Sequence, residues 1–523
     1  MTAEGRHERT AFLNVEKSLT GRRWAARLSD ERLALAMAQR HGLPDAICRL
    51  LAARNVGLES VPDFLEPTLR KFLPDPSHLK DMDAAVERLV RAVKAGEKIV
   101  VFGDYDVDGA TSSALLQRFF RSAGANIGVY IPDRRKEGYG PNAPALLKLK
   151  EQGAAVVVTV DCGVTAYEPL AEARKVGLDV IVIDHHQAEM ALPEAVAVVD
   201  PNRVDDDSPH KQMAAVGVAF LLAVGVNRAL RAANWYGDGK PEPDLRQWLD
   251  LVALGTVCDV VPLTGVNRAL VRQGLQVMRQ RRNAGLAALA DVARLREEPG
   301  AYHLGFMLGP RVNAGGRVGQ ADLGARLLAS DDTEEVGALA LRLDEFNSER
   351  RDIEREVLDQ AIGDQMVATA RVAAQLVAVG TAAGLSNAQL TDAVAQVAET
   401  SVAKEFWITD PSGRAVIHNV PGVEFTFSPD PKQQPQASVF YRLLSEPPDG
   451  PPVIQDARIR EIDDQVWKYA GVPGVDEPRI VQVGVPADVL TRLRDEVDTQ
   501  RFATTVTGAA DDVQVVEVFG ADG

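Results

Sequence analysis

Four short apolar segments of this chain are each followed within two residues by an aspartate. They span residues 98–102, 155–160, 180–183 and 195–199, and stretches with helical spacing separate them. Continuous β-branched runs that alternate with helices are typical of a parallel sheet buried on both faces. We therefore predict an α/β fold whose functional groups gather at the carboxyl ends of the strands.

The carboxylates at these strand ends form a pattern. A single aspartate after a strand is usually a helix N-cap or a turn residue. Capping and turn roles do not readily explain four strands that all end in this way, because one strand end carries three alternating aspartates and another carries a histidine pair. In chain order the motifs are GDYDVDG at 103–109, DCG at 161–163, DHH at 184–186 and DPN at 200–202.

Converging carboxylates without partners repel one another, so such a cluster requires a cation. Carboxylate oxygens and imidazole nitrogens suit Mg²⁺ or Mn²⁺, and neutral imidazole favours Mn²⁺. A fifth element is Asp259, which interrupts the apolar helix end GTVCDVV. Taken alone, Asp259 would be interpreted as a buried capping residue. Together the five elements predict a divalent-metal site.

The order of these motifs resembles that of the DHH phosphoesterase superfamily: GDYDVDG, VDCG, DHH, and then an aspartate within LVALGTVCDVVPL. The flanking segments are similar to those of the RecJ-like nucleases within that superfamily. These segments are FLEPTLRKFLPDPSHLKDMDAAVERL, YIPDRRKEGYG, AVGVAF and LGPRVNAGGRVGQAD. The resemblance extends over about residues 22–362, and it rests on several motifs in order rather than on one tripeptide.

The resemblance implies two divalent metal ions, Mn²⁺ or Mg²⁺, and a water that they activate to hydrolyse a phosphodiester. The metal ligands that it implies are Asp104, Asp106, Asp108, Asp161, His185 and Asp259. Asp106 and Asp108 would each bind one ion, and Asp161 would bridge the two. His186 would face the scissile phosphate and so counts, with Asp161, as catalytic. The alternative for His186 is a structural histidine that is bonded to a neighbouring carbonyl.

Segment 309–317, GPRVNAGGR, places two arginines and an amide around what we predict to be a Gly-rich turn. Guanidinium groups match the geometry of phosphate. The resemblance implies that this segment faces a bound strand, so we predict Arg311, Asn313 and Arg317 as substrate-binding residues. A surface turn with solvated arginines is the alternative.

Three further residues are candidates for substrate contacts. Tyr139, in the KEGYG loop, could stack on a base or a sugar, although ordinary aromatic packing would explain it equally well. Asn347 and Arg350 lie on a long charged helix that the pattern predicts over 341–362. A solvated charged face is as good an interpretation of that helix as a DNA contact.

The length of 523 residues suits two or three domains. We predict a helical segment over 1–80 and a phosphoesterase domain over 81–265. A helical region over 266–365 would carry the GPRVNAGGR segment and the long connecting helix. A smaller α+β domain would occupy 366–523.

The resemblance to RecJ-like chains ends near residue 365. Those chains continue into a second nucleic-acid-binding domain with WHPGVIGIVA-like and GSGRS-like segments, usually followed by an OB-fold, and neither segment occurs here. Instead the FWITD, FTF and FY segments resemble a single Cache (PAS-like) sensor module. That resemblance implies a small-molecule ligand in an aromatic-lined pocket. An oligomerisation scaffold is the alternative.

Charge and cysteine usage limit the setting in which the chain works. Of the net charge of −16, −10 falls after residue 365, which makes the tail a poor second wall for a basic strand channel. Three widely spaced cysteines indicate a reducing cytoplasm rather than a disulfide framework. The absence of an apolar run of about 18 residues and of a signal-peptide pattern predicts no membrane association.

The sequence therefore predicts a 5′→3′ single-stranded-DNA exonuclease that acts in DNA repair or recombination and whose partner is single-stranded nucleic acid. One alternative is a phosphodiesterase for short oligonucleotides or cyclic dinucleotides, which the missing second wall favours. The other is a regulatory ligand-binding protein without catalysis, against which all five metal signatures argue.

Overall fold

A computed structural model describes residues 11, 14–18, 23–25, 28, 30–237, 239–460, 462–463 and 465–492. The chain divides into two compact units, Met1–Asn347 and Ser348–Gly523. The division falls inside one 50-residue helix, Thr333–Ala382, so the long helix predicted over 341–362 is present and extends further at both ends. The four segments predicted from the sequence divide the chain more finely, and their boundaries remain predictions.

The first unit is built on a five-stranded parallel sheet with the order β2-β1-β3-β4-β5. Its strands are β1 (Lys98–Gly103), β2 (Asn126–Tyr130), β3 (Ala154–Val160), β4 (Asp179–Ile183) and β5 (Ala197–Val199). The α/β fold and the four predicted strands are thus confirmed. The sequence analysis missed β2, because this edge strand is only partly buried and reads NIGVY, without a continuous apolar run.

Fifteen α-helices precede the long helix within the described residues. They are α1 (Arg32–His41), α2 (Asp45–Ala52), α3 (Val61–Leu65), α4 (Leu69–Phe72), α5 (Met82–Ala95), α6 (Val107–Ser122), α7 (Arg134–Glu137), α8 (Ala143–Glu151), α9 (Tyr167–Lys175), α10 (Ala215–Ala232), α11 (Leu249–Cys258), α12 (Gly265–Met278), α13 (Ala284–Val292), α14 (Gly309–Val318) and α15 (Leu323–Ala329). Side chains alternate along each strand, so Val101 belongs to the core that contains α5, α6, α10 and α11, while Val100 belongs to the core that contains α8 and α9.

Helix α10 shows why composition alone is a weak guide to a membrane span. Among the described residues it is the one helix that is long and apolar enough to cross a bilayer, yet 72% of it is buried inside the protein. It packs between α5, α6 and α11 in the main core. Its length and composition are therefore explained by its position as a central core helix.

The second unit contains an antiparallel sheet with the order β7-β6-β11-β10-β8, and β9 also pairs with β10. Its elements are α16 (Thr333–Ala382, the long helix), α17 (Asn387–Thr400), β6 (Glu405–Thr409), β7 (Ala415–His418), β8 (Val453–Ile454), β9 (Arg458–Ile459), β10 (Val466–Pro473) and β11 (Ile480–Pro486). The part of α16 from Ile362 to Val377 packs with α17 on one face of the sheet. The smaller α+β domain is thus confirmed.

The aromatic pocket that a sensor module would need is filled in this conformation. Trp407, Phe425 and Tyr469 surround a cavity of about 10 Å³, which is the room that one water needs. Arg460 lines the same cavity, and its guanidinium is already paired with Glu405. The cavity therefore has no room for a small-molecule ligand, and the Cache-like assignment remains a prediction.

Candidate metal centre

The carboxyl ends of β1, β3 and β4 are neighbours in the sheet, and they bring the predicted ligands together. The side chains form three groups, and within each group the possible ligand atoms lie within 4.8 Å of one another. These groups are Asp104–Asp106–Asp161, Asp108–His185–Asp259 and Asp161–His185–His186. They contain every residue that the sequence analysis assigned to metal binding, and His186 lies with them.

The GDYDVDG loop is fixed by two helix N-termini. Asp106 is the N-cap of α6, and its carboxylate accepts a hydrogen bond from the Gly109 N–H at 3.0 Å. Asp108 lies in the first turn of α6 and is 1% exposed. Its two oxygens accept from the N–H groups of Ala215 (2.6 Å) and Val216 (2.9 Å), at the start of α10. The positive end of α10 thus holds this buried carboxylate in place.

Asp161 has an unusual backbone and a central position. Its φ of 61° lies in the left-handed region, which costs a non-glycine residue roughly 1 kcal/mol or more. The Asp161 N–H donates to the Ile183 carbonyl at 3.0 Å, and the Tyr139 hydroxyl donates to the Asp161 carbonyl at 3.2 Å. Asp161 and His185 each belong to two of the three ligand groups, and the role of Asp161 as a bridging ligand remains a prediction.

Several buried polar atoms of the centre have no hydrogen-bond partner among the described residues: His185 Nε2, Asp104 Oδ1 and Asp259 Oδ2. His185 Nε2 lies 3.3 Å from Asp161 Oδ1, and His185 Nδ1 lies 3.5 Å from Asp259 Oδ2. Buried polar atoms are nearly always satisfied, so a cluster of unsatisfied oxygen and nitrogen donors needs another partner. The donor set fits a divalent cation such as Mn²⁺ or Mg²⁺.

Burial and mutual repulsion shift the pKa values of these groups. Burial, followed by the charge of Asp106, raises the pKa of Asp104 to about 7 and that of Asp108 to about 7. The same two causes raise the pKa of Asp161 well above its usual value. Burial lowers the pKa of His185 to about 4, so its imidazole is neutral and can act as a ligand.

These shifts predict that the metal affinity and the metal-free stability change with pH in opposite directions. A carboxyl whose pKa is raised in the folded state stabilises the fold below pH 4 and loses that contribution as pH rises towards 7. Metal binding needs the ionised carboxylates, so it strengthens over the same range. We expect the melting temperature of the Mn²⁺-loaded protein to exceed that of the metal-free protein by about 5 °C or more at pH 8. Scanning calorimetry at pH 5 and pH 8, with and without Mn²⁺, measures this gap, and a gap that is larger at pH 5 would contradict the prediction.

Asp184 holds the DHH turn together and was not assigned a role from the sequence. It is fully buried, and its Oδ1 accepts from the His185 N–H at 2.8 Å and lies 2.7 Å from His186 Nδ1. Its Oδ2 accepts from the Val164 N–H at 3.0 Å. Thus His186 is bonded to a carboxylate and not to a carbonyl, and this bond raises the pKa of His186. The signal for Asp184 was present in the DHH tripeptide itself.

Asn202 is a second supporting residue that the sequence analysis quoted without giving it a role. Its side-chain amide donates to the His185 carbonyl at 2.6 Å, and its N–H donates to Asp200 Oδ1 at 2.7 Å. The end of β5 therefore supports the backbone of a metal-ligand candidate. Such supporting contacts are as important to a metal site as the ligands themselves.

The segment 309–317 forms helix α14, so the predicted Gly-rich turn is wrong. Pro310 occupies the first helical turn, where its missing N–H costs nothing. The glycines serve close packing: a Cβ at Gly309 would overlap Cys258 Sγ, and a Cβ at Gly316 would overlap the ring of Tyr105. A run of glycines is typical of a tight turn and equally of a backbone that packs closely against its neighbours. Here the glycines allow close packing.

The predicted substrate contacts have different surroundings. Arg311 donates to Asp344 at 2.8 Å and to the Met307 carbonyl at 2.6 Å, and its side chain is only 14% exposed. Arg317 is exposed. Asn313 Oδ1 accepts from the Val107 N–H at 3.1 Å, in the first turn of α6. Arg311 and Asn313 therefore hold structure next to the centre, and their contact with a substrate remains a prediction.

The other three candidates also differ in accessibility. The Tyr139 ring is 55% exposed above its tethered hydroxyl, which leaves a face open for stacking. Asn347 is 3% exposed. Arg350, in the second unit, forms an ion pair with Glu354 at 2.6 Å. Tyr139 is thus the most accessible of these three.

The contact of Asn313 with Val107 leads to a specific prediction. We expect Asn313→Ala to destabilise the protein by about 1 kcal/mol, because it leaves one N–H of α6 without its acceptor. The affinity for Mn²⁺ should fall by about tenfold, because the supported loop carries three candidate ligands. Asn313→Asp keeps the acceptor and serves as the matched control. Urea unfolding and titration calorimetry measure both effects, and unchanged Mn²⁺ affinity in Asn313→Ala would argue for a role on substrate alone.

A family model described as the DHH family, N-terminal domain, matches residues 98–256. This range holds β1 to β5, the GDYDVDG loop and the DHH turn. This part of the chain is similar to the N-terminal domain of the DHH family. Within it the chain is RecJ-like, as the sequence motifs indicated.

The single-stranded-DNA-specific exonuclease RecJ of Salmonella typhimurium is 41% identical over 317 residues, which are 60% of this chain and 54% of that protein. The protein of the same name from Bacillus subtilis is 36% identical over 335 residues, which are 63% of this chain and 40% of that protein. The chain therefore spans about half the length, or less, of these relatives. A solved structure of Thermus thermophilus RecJ in complex with Mn²⁺ is 31% identical, with a TM-score of 0.52 over 66% of this chain and 48% of that one.

Proposed function

We propose that this protein is a metal-dependent 5′→3′ exonuclease for single-stranded DNA. The observation that carries the proposal is the convergence of three ligand groups, two of which share Asp161, around buried atoms that lack hydrogen-bond partners. The relatives are named as single-stranded-DNA-specific exonucleases, which supports this substrate class. A role in DNA repair or recombination, and a place in the cytoplasm, follow from the same proposal.

The cofactors in this proposal are two divalent ions, Mn²⁺ or Mg²⁺, held by the six carboxylate and imidazole ligands. When bound, such ions acidify a water for attack on phosphorus and neutralise charge on the phosphate oxygens. The relative from Thermus thermophilus was solved with Mn²⁺, which supports the choice of ion.

The chain itself contributes orientation and a proton. Asp184 orients the His186 ring through Nδ1, and the other ring nitrogen belongs to a side chain that is 49% exposed. The hydrogen bond that His186 Nδ1 makes to the Asp184 carboxylate raises the pKa of His186, which favours the protonated imidazole. His186 can therefore donate a hydrogen bond to a phosphate oxygen or to the leaving group. Asp161, fixed by two backbone hydrogen bonds, holds its carboxylate between the two ligand groups.

A phosphodiesterase for short oligonucleotides or cyclic dinucleotides is the second candidate, and the charge of the chain favours it. The residues after 365 carry a net charge of −10, which opposes a long phosphate backbone. The two candidates share the metal centre and differ in substrate length.

One set of substrates separates the candidates. Single strands labelled at the 5′ or the 3′ end, short oligonucleotides and cyclic dinucleotides are each incubated with Mn²⁺ or with EDTA. We expect Mn²⁺-dependent release of mononucleotides from the 5′ end of long strands. Turnover of short substrates alone would favour the second candidate. The absence of Mn²⁺-dependent turnover, together with no Mn²⁺ binding by calorimetry, would reject both candidate functions. The control variant is Glu151→Ala, which removes an exposed carboxylate on α8.

A further inference from the structure

Two exposed aromatic rings stand directly before helix α14. Tyr302 is 65% exposed and Phe306 is 45% exposed. Their ring centroids lie 4.9 Å apart with an interplanar angle of 25°, so the rings stack on each other. His303 packs edge-on against Tyr302 at 5.7 Å and is itself held by Glu297. The stack is thus a preformed aromatic surface that is open to solvent.

The helical segment that carries these rings is irregular and well anchored. Residues His303–Leu308 form a π-helix, a rare element that is frequent at functional sites. Leu304 and Leu308 are fully buried in the main core on the opposite side. The exposed rings are therefore presented by a fixed element, and not by a loop that could turn them inward.

The helical segment that carries the rings leads directly into α14, which contacts the metal centre. In α14, Gly309 packs on Cys258, Asn313 Oδ1 accepts from the Val107 N–H, and Gly316 packs on Tyr105. Cys258 precedes the metal-ligand candidate Asp259, while Tyr105 and Val107 belong to the GDYDVDG loop. Phe306 therefore stands about 10 Å along the helix from the Asn313 contact with that loop.

We propose that Tyr302 and Phe306 form a stacking platform for the bases of a single-stranded DNA that extends away from the metal centre. This inference rests on the proposed function, and it adds a strand contact outside the GPRVNAGGR segment. Aromatic faces bind successive bases without reading their sequence, because every base has a π-face. Such a platform also offers a contact that does not depend on phosphate neutralisation, which suits a chain with a net charge of −16.

The test measures the binding of a fluorescent oligo(dT) of about 20 nucleotides by anisotropy, with no divalent metal present, so that no strand is hydrolysed. The variants are Tyr302→Leu and Phe306→Leu, singly and together, which keep an apolar side chain and remove the ring. We expect the double variant to bind about 5- to 50-fold more weakly, which is the loss of one or two stacked bases. Tyr302→Phe with Phe306→Tyr should restore binding. Leu35→Ala, at an exposed position on α1, should leave it unchanged.

The outcomes distinguish this inference from the proposed function. If the double variant binds and degrades long strands like the wild type, the platform is wrong and the exonuclease stands. If the wild type binds the strand through these rings but never hydrolyses it with Mn²⁺, the exonuclease is wrong and the platform stands. Unchanged DNA affinity with an altered oligomeric state in size-exclusion chromatography would make the stack a protein interface and overturn the inference. A wild type that binds no single strand would overturn both.

Discussion

Replacing Asp161 with alanine is expected to abolish phosphodiester hydrolysis while leaving the protein folded. The carboxylate belongs to two of the three ligand groups, so its loss removes a donor from both of those groups at once. We expect turnover of a labelled single strand to fall by at least about a thousandfold, since the centre loses its main means of stabilising charge in the transition state. Calorimetry should show the loss of at least one Mn²⁺-binding event.

The metal-free fold should tolerate this change for an electrostatic reason. Burial and the neighbouring carboxylates Asp106, Asp108 and Asp259 raise the pKa of Asp161, so this carboxyl destabilises the metal-free centre when it ionises. Removing it relieves repulsion, and the remaining cost is the left-handed backbone, where φ is 61°. Asp161→Gly is the matched control, because glycine adopts this φ without strain. If both variants fold and hydrolyse DNA like the wild type, Asp161 is not a bridging ligand.

The sequence predicts that these candidate ligands cluster, because parallel strands align their carboxyl ends. A motif that follows β1 must lie next to motifs that follow β3 and β4, so Asp104, Asp161 and His185 converge without any knowledge of side-chain contacts. The pairing of His185 with Asp259 is different. Asp259 ends a helix 74 residues further along the chain, and no local pattern relates the two, so the resemblance to a family supplied that assignment.

Interactions made by backbone groups at a distance were beyond prediction. The bond from the Ala215 N–H to Asp108 depends on where the first turn of α10 lies in space, and a backbone N–H leaves no mark in the sequence. The contact of Asn313 with α6 was missed for a related reason. An amide beside two arginines suggests a phosphate contact, but here its oxygen accepts a backbone N–H of α6.

Replacing Asp184 with asparagine is expected to damage both stability and activity. The Asp184 carboxylate accepts from the N–H groups of Val164 and His185 and bonds to the His186 ring. Asp184 itself is fully buried. Burial alone would raise the pKa of Asp184, but its hydrogen bonds, above all the one with His186, lower it, so the group is ionised. An asparagine would point an NH₂ group at one of these donors. We expect a loss of about 3 kcal/mol in the free energy of unfolding, because a buried charge network is broken.

The activity should fall further than the stability loss explains. Without the Asp184 charge the His186 ring loses the bond that orients it, and the pKa of His186 returns towards its ordinary value. We expect turnover by the folded variant to drop by about 10- to 100-fold, the usual effect of removing a supporting partner from a metal site. Turnover is measured with saturating Mn²⁺ at a temperature where the variant is fully folded, and the ionisation of His186 in its pH profile should move to lower pH.

Asp206 provides a matched control for the stability part of this effect. It is 4% exposed, and its carboxylate likewise accepts backbone N–H groups, from Lys80 at 2.9 Å and Ser208 at 2.8 Å, but it belongs to none of the ligand groups. Asp206→Asn should lower the free energy of unfolding and leave turnover and its pH profile unchanged. If Asp184→Asn behaves in the same way, Asp184 stabilises the fold without positioning His186, and the proton assigned to His186 must be sought elsewhere.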